Sequence, residues 1–185
     1  MKIGIIVGSI REGRRGLKVG KWVDEIAQKR GDADYELIDL KEFNVPLLTD
    51  PGLPAMANGK YPTPEVQAWA DAIGSCDAFV FVTPEYNHSI PGAFKNAVDS
   101  LGAEWMGKPV GFVSYGASGG VRSVEAWRVS LANFGMLDQR TAVELGLFTD
   151  FDGQGGFTPA ERRVAEVSAM LDSVVASAKM VAAAK

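Results

Sequence analysis

A chain of 185 residues suits one domain with a full-sized core. Hydrophobic residues make up 46%, charged residues 23% and the formal net charge is −4, a mildly acidic balance that argues against nucleic acid as the main partner while leaving room for one local basic pocket. The single cysteine, Cys76, excludes an intramolecular disulfide; no run is apolar enough to span a membrane, and the short run Ile3–Val7 breaks at Gly8 without a signal-peptide pattern, so the expectation is a cytoplasmic protein.

In chain order, Lys2–Val7 is a compact apolar run and reads as a buried first strand. Gly8–Gly16 follows as a loop. Leu17–Arg30 reads as a helix, with Val19, Trp22, Val23, Ile26 and Ala27 on one face and Gly31 as its stop. Tyr35–Leu40 is the second strand. Residues 41–64 are rich in proline and glycine and show no clear period; so long a connection is usually functional or mobile, and it is expected to border the active site. Pro64 opens a second helix, Glu65–Ser75. Ala78–Val82 reads as a strand buried on both faces, ended by Pro84. Pro91 fits the first turn of a helix covering Gly92 to Leu101. Lys108–Tyr115 is a fourth strand, Val121–Phe134 a fourth helix and Gln139–Leu145 a fifth strand. Asp150–Gly156 reads as a flexible turn. Thr158-Pro159-Ala160-Glu161 has the form of a capping box for the last helix. Trp22, Trp69 and Trp127 fall on inward stripes, whereas Trp105 is open to a partner or ligand role.

Strands alternating with helices imply a parallel sheet covered on both faces. Five such units in residues 1–185 match a single flavodoxin-like domain, a three-layer sandwich with strand order 2-1-3-4-5. Its switch point lies between strands one and three, where ligands of open α/β sheets bind. The topology brings three unusual loops to that edge. Gly8–Gly16 carries three arginines and three glycines ahead of a helix N-terminus, the chemistry of a phosphate cradle; a solvated basic turn is the plain alternative. It is neither a G-x-G-x-x-G fingerprint nor a Walker loop. Residues 84–90 concentrate a carboxylate, a phenol, an amide, an imidazole and a hydroxyl. Gly116–Gly120 is nearly free of side chains, so its backbone can approach a flat ring. An anion site, an aromatic wall and a backbone-lined slot together suit a phosphorylated flat heterocycle.

The segments Gly8-Ser9-Ile10-Arg11, Pro84 to Gly92, Lys95 to Asp99 and Ser114 to Gly120 resemble the NAD(P)H-dependent FMN reductases of the flavodoxin-like superfamily, the group that includes chromate and quinone reductases. The resemblance implies non-covalent FMN. Ser9, Arg11 and the turn at Arg15, Gly16 and Leu17 would hold its phosphate; Pro84, Glu85, Tyr86 and Asn87 would line the isoalloxazine and ribityl chain; Ser114, Tyr115, Gly116 and Ala117 would meet the ring edge. Many relatives place a serine or asparagine late in the first loop, where this chain reads Arg14-Arg15-Gly16-Leu17, so an arginine is a candidate for that contact.

The implied reaction passes hydride from NADPH or NADH to FMN and electrons on to a small-molecule acceptor such as a quinone or free flavin. The cofactor carries that chemistry, so no catalytic side chain and no metal is expected. Glu85 is expected to act through its backbone, His88 to pack or cap, and Lys95, Asn96 and Asp99 to be structural. The resemblance further implies a homodimer or homotetramer. The rival readings are a non-enzymatic electron-transfer flavodoxin, disfavoured by the arginines of the first loop, and a binding module of the same fold without cofactor.

Overall fold

Near-continuous apolar runs build the centre of the molecule. The computed structural model describes residues 1–184. Lys2–Val7 (β1), Asp34–Asp39 (β2), Ala78–Pro84 (β3), Pro109–Gly116 (β4) and Leu137–Gly146 (β5) form one parallel sheet in the order β2-β1-β3-β4-β5. This is the flavodoxin-like order expected from the sequence. β3 and β4 are buried along their whole length, which is why they lack polar alternation. The helices are Gly16–Gln28 (α1), Leu40–Phe43 (α2), Pro64–Gly74 (α3), Gly92–Asp99 (α4), Val121–Ala132 (α5) and Arg162–Ala183 (α6). The short α2 and a 3₁₀ turn at Pro54–Met56 give structure to part of the aperiodic 41–64 segment.

Successive side chains of a strand point to opposite faces, so the sheet feeds two cores. Ile3, Ile5, Val80, Val82 and Val113 pack with Val19 and Val23 of α1 and with Val167, Met170 and Val174 of α6. Ile6, Phe79, Phe81 and Phe112 pack with Trp69 of α3, Phe94 of α4 and Trp127 of α5. Gly111 lets α6 lie directly on β4: a Cβ there would fall 2.4 Å from Met170 Sδ. Trp105 belongs to the second core. It is fully buried, donates its indole N–H to the Val98 carbonyl at 3.1 Å and packs edge-on against Phe79 and Phe81, which rules out a partner-facing or ligand-facing role. Trp22 is only partly buried and meets Phe157 edge-on at 5.3 Å.

The segment between β5 and α6 departs most from the sequence reading. It is a packed loop, with Phe151 bridged to Phe157 and the Thr158 N–H donating to the Asp150 carbonyl at 2.9 Å. Those tertiary bonds engage Thr158, and α6 begins at Arg162 without the capping box. Asp150 anchors the loop. Its carboxylate accepts Nε and Nη2 of Arg163 at 3.0 and 3.1 Å, the Gly146 N–H at 2.9 Å and the Thr149 hydroxyl at 3.0 Å. Burial pushes the Asp150 carboxyl up, but the Arg163 guanidinium and these neutral donors outweigh burial and hold it below its ordinary value.

Asp150→Ala leaves the Arg163 charge buried with Glu166 as its remaining acid partner at 2.6 Å, so a loss of about 3 kcal/mol is expected in urea unfolding, near the low end for a broken buried pair. A carboxyl whose folded pKa is depressed contributes stability above its unfolded pKa and loses it as pH falls through the folded value. The wild type is therefore expected to lose more stability than Asp150→Asn as the pH drops below about 4, the unfolded aspartate pKa. Parallel stability curves for the two proteins would refute this.

Candidate functional site

All five strands are parallel, so their carboxyl ends share one edge, and the crevice opens where the connections from β1 and β3 leave for opposite faces. A cleft of about 560 Å³ lies there. Its walls come from the β1–α1 loop, the segment after β3, the end of β4 and the loop after β5.

The first loop leaves β1 through Gly8, whose N–H donates to the Val82 carbonyl at 3.0 Å. A Cβ on Gly8 would lie 1.9 Å from the Phe94 ring, so only glycine permits that exit. Ser9 is buried and its hydroxyl pairs with the Tyr86 hydroxyl at 2.8 Å, joining the first wall to the second. Arg11, Arg14, Arg15 and Lys18 all line the cleft. Arg11 sits 5.4 Å over the Tyr86 ring and Arg15 5.3 Å over the Phe151 ring, cation–π contacts that leave guanidinium edges free to donate. Lys18 donates to the Gly155 carbonyl at 2.8 Å. Arg14 is ion-paired with Asp39 at the end of β2, yet its Nε is a buried donor without a partner. The acidic residues of the cleft, Glu12 and Glu85, are each ion-paired, with Lys41 and Arg122. A net cationic cleft in an acidic chain, ahead of an α1 N-terminus that Arg15 does not cap with its side chain, fits a phosphate monoester.

The second wall is a tight turn. Tyr86 and Ser89 exchange main-chain hydrogen bonds at 3.0 Å in both directions, and Asn87 and His88 between them have φ of 49° and 66°. Two left-handed residues in succession are the signature of a type I′ turn. His88 is exposed at its tip and not packed as the sequence reading expects. The third wall is the end of β4. Tyr115 is buried, and its hydroxyl lies against Gly16, where a Cβ would sit 2.6 Å from the phenol oxygen. Burial, with the neighbouring Tyr86, pushes the Tyr115 hydroxyl well above its ordinary pKa, so it remains a neutral donor at working pH. Ser114 is buried beneath and donates to the Gly119 carbonyl at 2.7 Å. Gly119 and Gly120 have φ of 75° and 82°, which glycine adopts without steric cost.

Of the residues singled out in the sequence, Ser9, Arg11, Arg15, Pro84, Glu85, Tyr86, Tyr115 and Gly116 line this cleft together. Gly16 is buried behind it, Asn87 points outward at the turn tip, Ser114 supports the third wall, and Leu17 and Ala117 stand outside the lining. Four sequence-distant residues from the loop after β5 complete the cleft: Leu147, and Gly153, Gln154 and Gly155 from the stretch that reads as a flexible turn. The aromatic pair Phe151 and Phe157 flanking those glycines is the one local signal that the loop packs. Among the described residues, the 41–64 segment contributes none to the cleft lining; it borders a separate groove of about 540 Å³ and is pinned by Asn96, which bonds Pro46 and Leu48.

Comparison with known proteins agrees with this geometry. The NADPH-dependent FMN reductase family matches residues 1–150. An NAD(P)H-dependent FMN reductase of Schizosaccharomyces pombe is 42% identical over 119 residues, covering 64% of this chain and 60% of that protein. A second, from a Nectria species, is 40% identical and covered over 63% of its length, so the chain spans less than two thirds of these relatives. A quinone reductase of Pseudomonas putida is 33% identical over 138 residues, covering 70% of this chain and 68% of that protein. In fold, FerB, a flavoenzyme NAD(P)H:acceptor oxidoreductase from Paracoccus denitrificans, superposes with a TM-score of 0.75 at 23% identity, covering 97% of both chains. With a family match over most of its length and the switch-point cleft in place, the chain belongs to the NADPH-dependent FMN reductase family.

Proposed function

We propose that this protein is an FMN-dependent NAD(P)H oxidoreductase, built as one flavodoxin-like domain, that passes reducing equivalents from a nicotinamide to a small acceptor such as a quinone or free flavin. The observation that carries the reading is the convergence of four cationic side chains, two tyrosines and a glycine-edged slot in one cleft at the sheet's switch point. The bound cofactor would supply two-electron transfer between nicotinamide and acceptor, and the protein supplies binding and orientation.

In this reading Arg11 and Arg15, with the Ser9 hydroxyl and the open N-terminus of α1, hold the phosphate, and an arginine of the Arg14-Arg15 pair takes over the contact that a serine or asparagine makes in many relatives. Tyr86 forms the aromatic wall, fixed by its bond to Ser9 at 2.8 Å. Gly116 keeps the opposite edge free of side chain. No residue of the cleft is needed as a general base: Glu85 is engaged by Arg122 and Tyr115 stays protonated. The reading places the protein in the cytoplasm; none of the helices is long and apolar enough to cross a membrane among the described residues.

A homodimer or homotetramer is part of the same proposal. Leu47, Leu53 and Met56 are each more than 70% exposed around the 41–64 groove, an apolar surface that a second copy would cover. Light scattering is expected to give a mass of at least twice 19.8 kDa, and a clean monomer would remove this part.

Purified protein titrated with FMN is expected to turn yellow and quench flavin fluorescence, then to oxidise NADPH or NADH with a quinone present. No flavin uptake would favour a cofactor-free module, and uptake without turnover a carrier flavodoxin. Arg11→Ala is expected to weaken FMN by about 1.5–3 kcal/mol, the range for a hydrogen bond to a charged group. Equal FMN affinity in that variant would place the phosphate elsewhere.

A further inference from the structure

Glu85 is a carboxylate at the boundary between the second and third walls, and its side chain is only 9% exposed. Its backbone N–H donates to the Tyr115 carbonyl at 3.0 Å, continuing the β3–β4 pairing past the strand end. Its carboxylate turns the other way. One oxygen accepts the backbone N–H of Arg122 at 3.1 Å and the other accepts Nη1 of the Arg122 side chain at 2.6 Å. Arg122 is the second residue of α5, a helix whose N-cap is Gly120, with φ of 82° and no side chain to offer. A helix N-terminus needs an acceptor for its first amides and favours negative charge. Glu85 meets both needs from a different loop.

The staple extends a join that begins deeper. The Thr83 hydroxyl, two residues before Glu85, pairs with the Ser123 hydroxyl at 3.1 Å and accepts the Trp127 indole N–H at 3.1 Å, all three side chains being buried. Thr83 thus fastens the end of β3 to α5 below the cleft, and Glu85 fastens the following segment to the same helix at the rim. Tyr86 follows Glu85 directly. Gly116 lies so close that a Cβ there would be 3.3 Å from Glu85 Cβ and 3.1 Å from the Gly120 nitrogen.

We propose that Glu85 is a positioning residue: its carboxylate caps α5 from outside and thereby sets the separation between the Tyr86 turn and the Gly116 edge of the cleft. It acts through Arg122 and not by proton transfer, because both of its oxygens are engaged away from the reaction space. The proposal rests on the reading of this cleft as the FMN site, and its test separates the two.

Amide hydrogen exchange of the flavin-free protein is compared for wild type, Glu85→Ala and Glu85→Gln, followed by FMN titration and visible circular dichroism of the loaded forms. Loss of protection at the Arg122 and Ser89 amides is expected in Glu85→Ala, with FMN affinity weakened about ten-fold or more, the scale of one hydrogen bond to a charged group. The flavin dichroism is expected to change shape as the walls shift. Glu85→Gln keeps an acceptor for the Arg122 amide and is expected to restore most of the protection, affinity and dichroism. Unchanged exchange and affinity in Glu85→Ala would overturn the proposal. So would Glu85→Gln that protects the Arg122 amide yet binds FMN as poorly as Glu85→Ala, since the charge itself would then be read by the ligand. A wild type that takes up no flavin removes the cofactor reading alone, and the exchange pattern still decides the staple. If Glu85→Ala fails to fold, Glu85→Asp, whose carboxylate is drawn back from the Arg122 amide by one methylene, takes its place; exchange at Arg122 and Ser89 and FMN affinity equal to wild type would then count against the proposal, and loss of both in its favour.

Discussion

The constraint on which the molecule depends is the parallel alignment of all five strands with β1 at the point where strand order reverses. A parallel sheet must cover both faces with helices, and consecutive connections must then diverge somewhere. Here the connection from β1 goes to α1 on one face and the connection from β3 goes to α4 on the other. Neither covers the gap between them, so a cleft is a by-product of the topology. Its chemistry then depends on which residues the chain spends in the few positions that border it.

Those positions carry polar groups already tied to one another before any ligand is considered. Ser9 holds Tyr86, Glu85 holds Arg122, Lys18 holds Gly155 and Arg14 holds Asp39. The first three bonds each cross between two different connections, and the last ties the first loop to the end of β2. Loops ordinarily carry function on a rigid scaffold at the cost of mobility; cross-links of this kind lend the scaffold's rigidity to the loops. In the proposed reading, holding a flat ring between two walls would need that rigidity, because orientation is a protein's main contribution where a cofactor performs the chemistry.

The loop after β5 shows the same logic at longer range. The Asp150–Arg163 pair is buried under it, and Asp150 also receives the Gly146 amide at the end of β5. A salt bridge far from the cationic cluster in sequence therefore determines where Gly153–Gly155 stand as a cleft wall. Phe151, Phe157 and Trp22 close the apolar side of that loop, and Arg15 lies over Phe151. Fold stability and site geometry meet in one segment.

Strand positions, strand order and three of the cleft's walls were legible from residue patterns, because buried parallel strands write themselves as unbroken apolar runs and chain order constrains their connections. The glycine and arginine content of the first loop and the polar density after β3 likewise marked both segments as borders of the cleft. Sequence alone could not decide the rest. The fourth wall is held by contacts between Asp150 and Arg163 and between Lys18 and Gly155, pairs with no local signature. The box at Thr158–Glu161 satisfies every local rule for a helix start, but Asp150 claims the Thr158 amide and the helix begins later. Trp105 is open to a ligand or partner role by sequence; a core position decides otherwise. Local preferences amount to about 1 kcal/mol or less per residue, whereas a buried ion pair or a filled core position commits several. Where the two disagree, the distant partner prevails, and distant partners are what only the folded chain reveals.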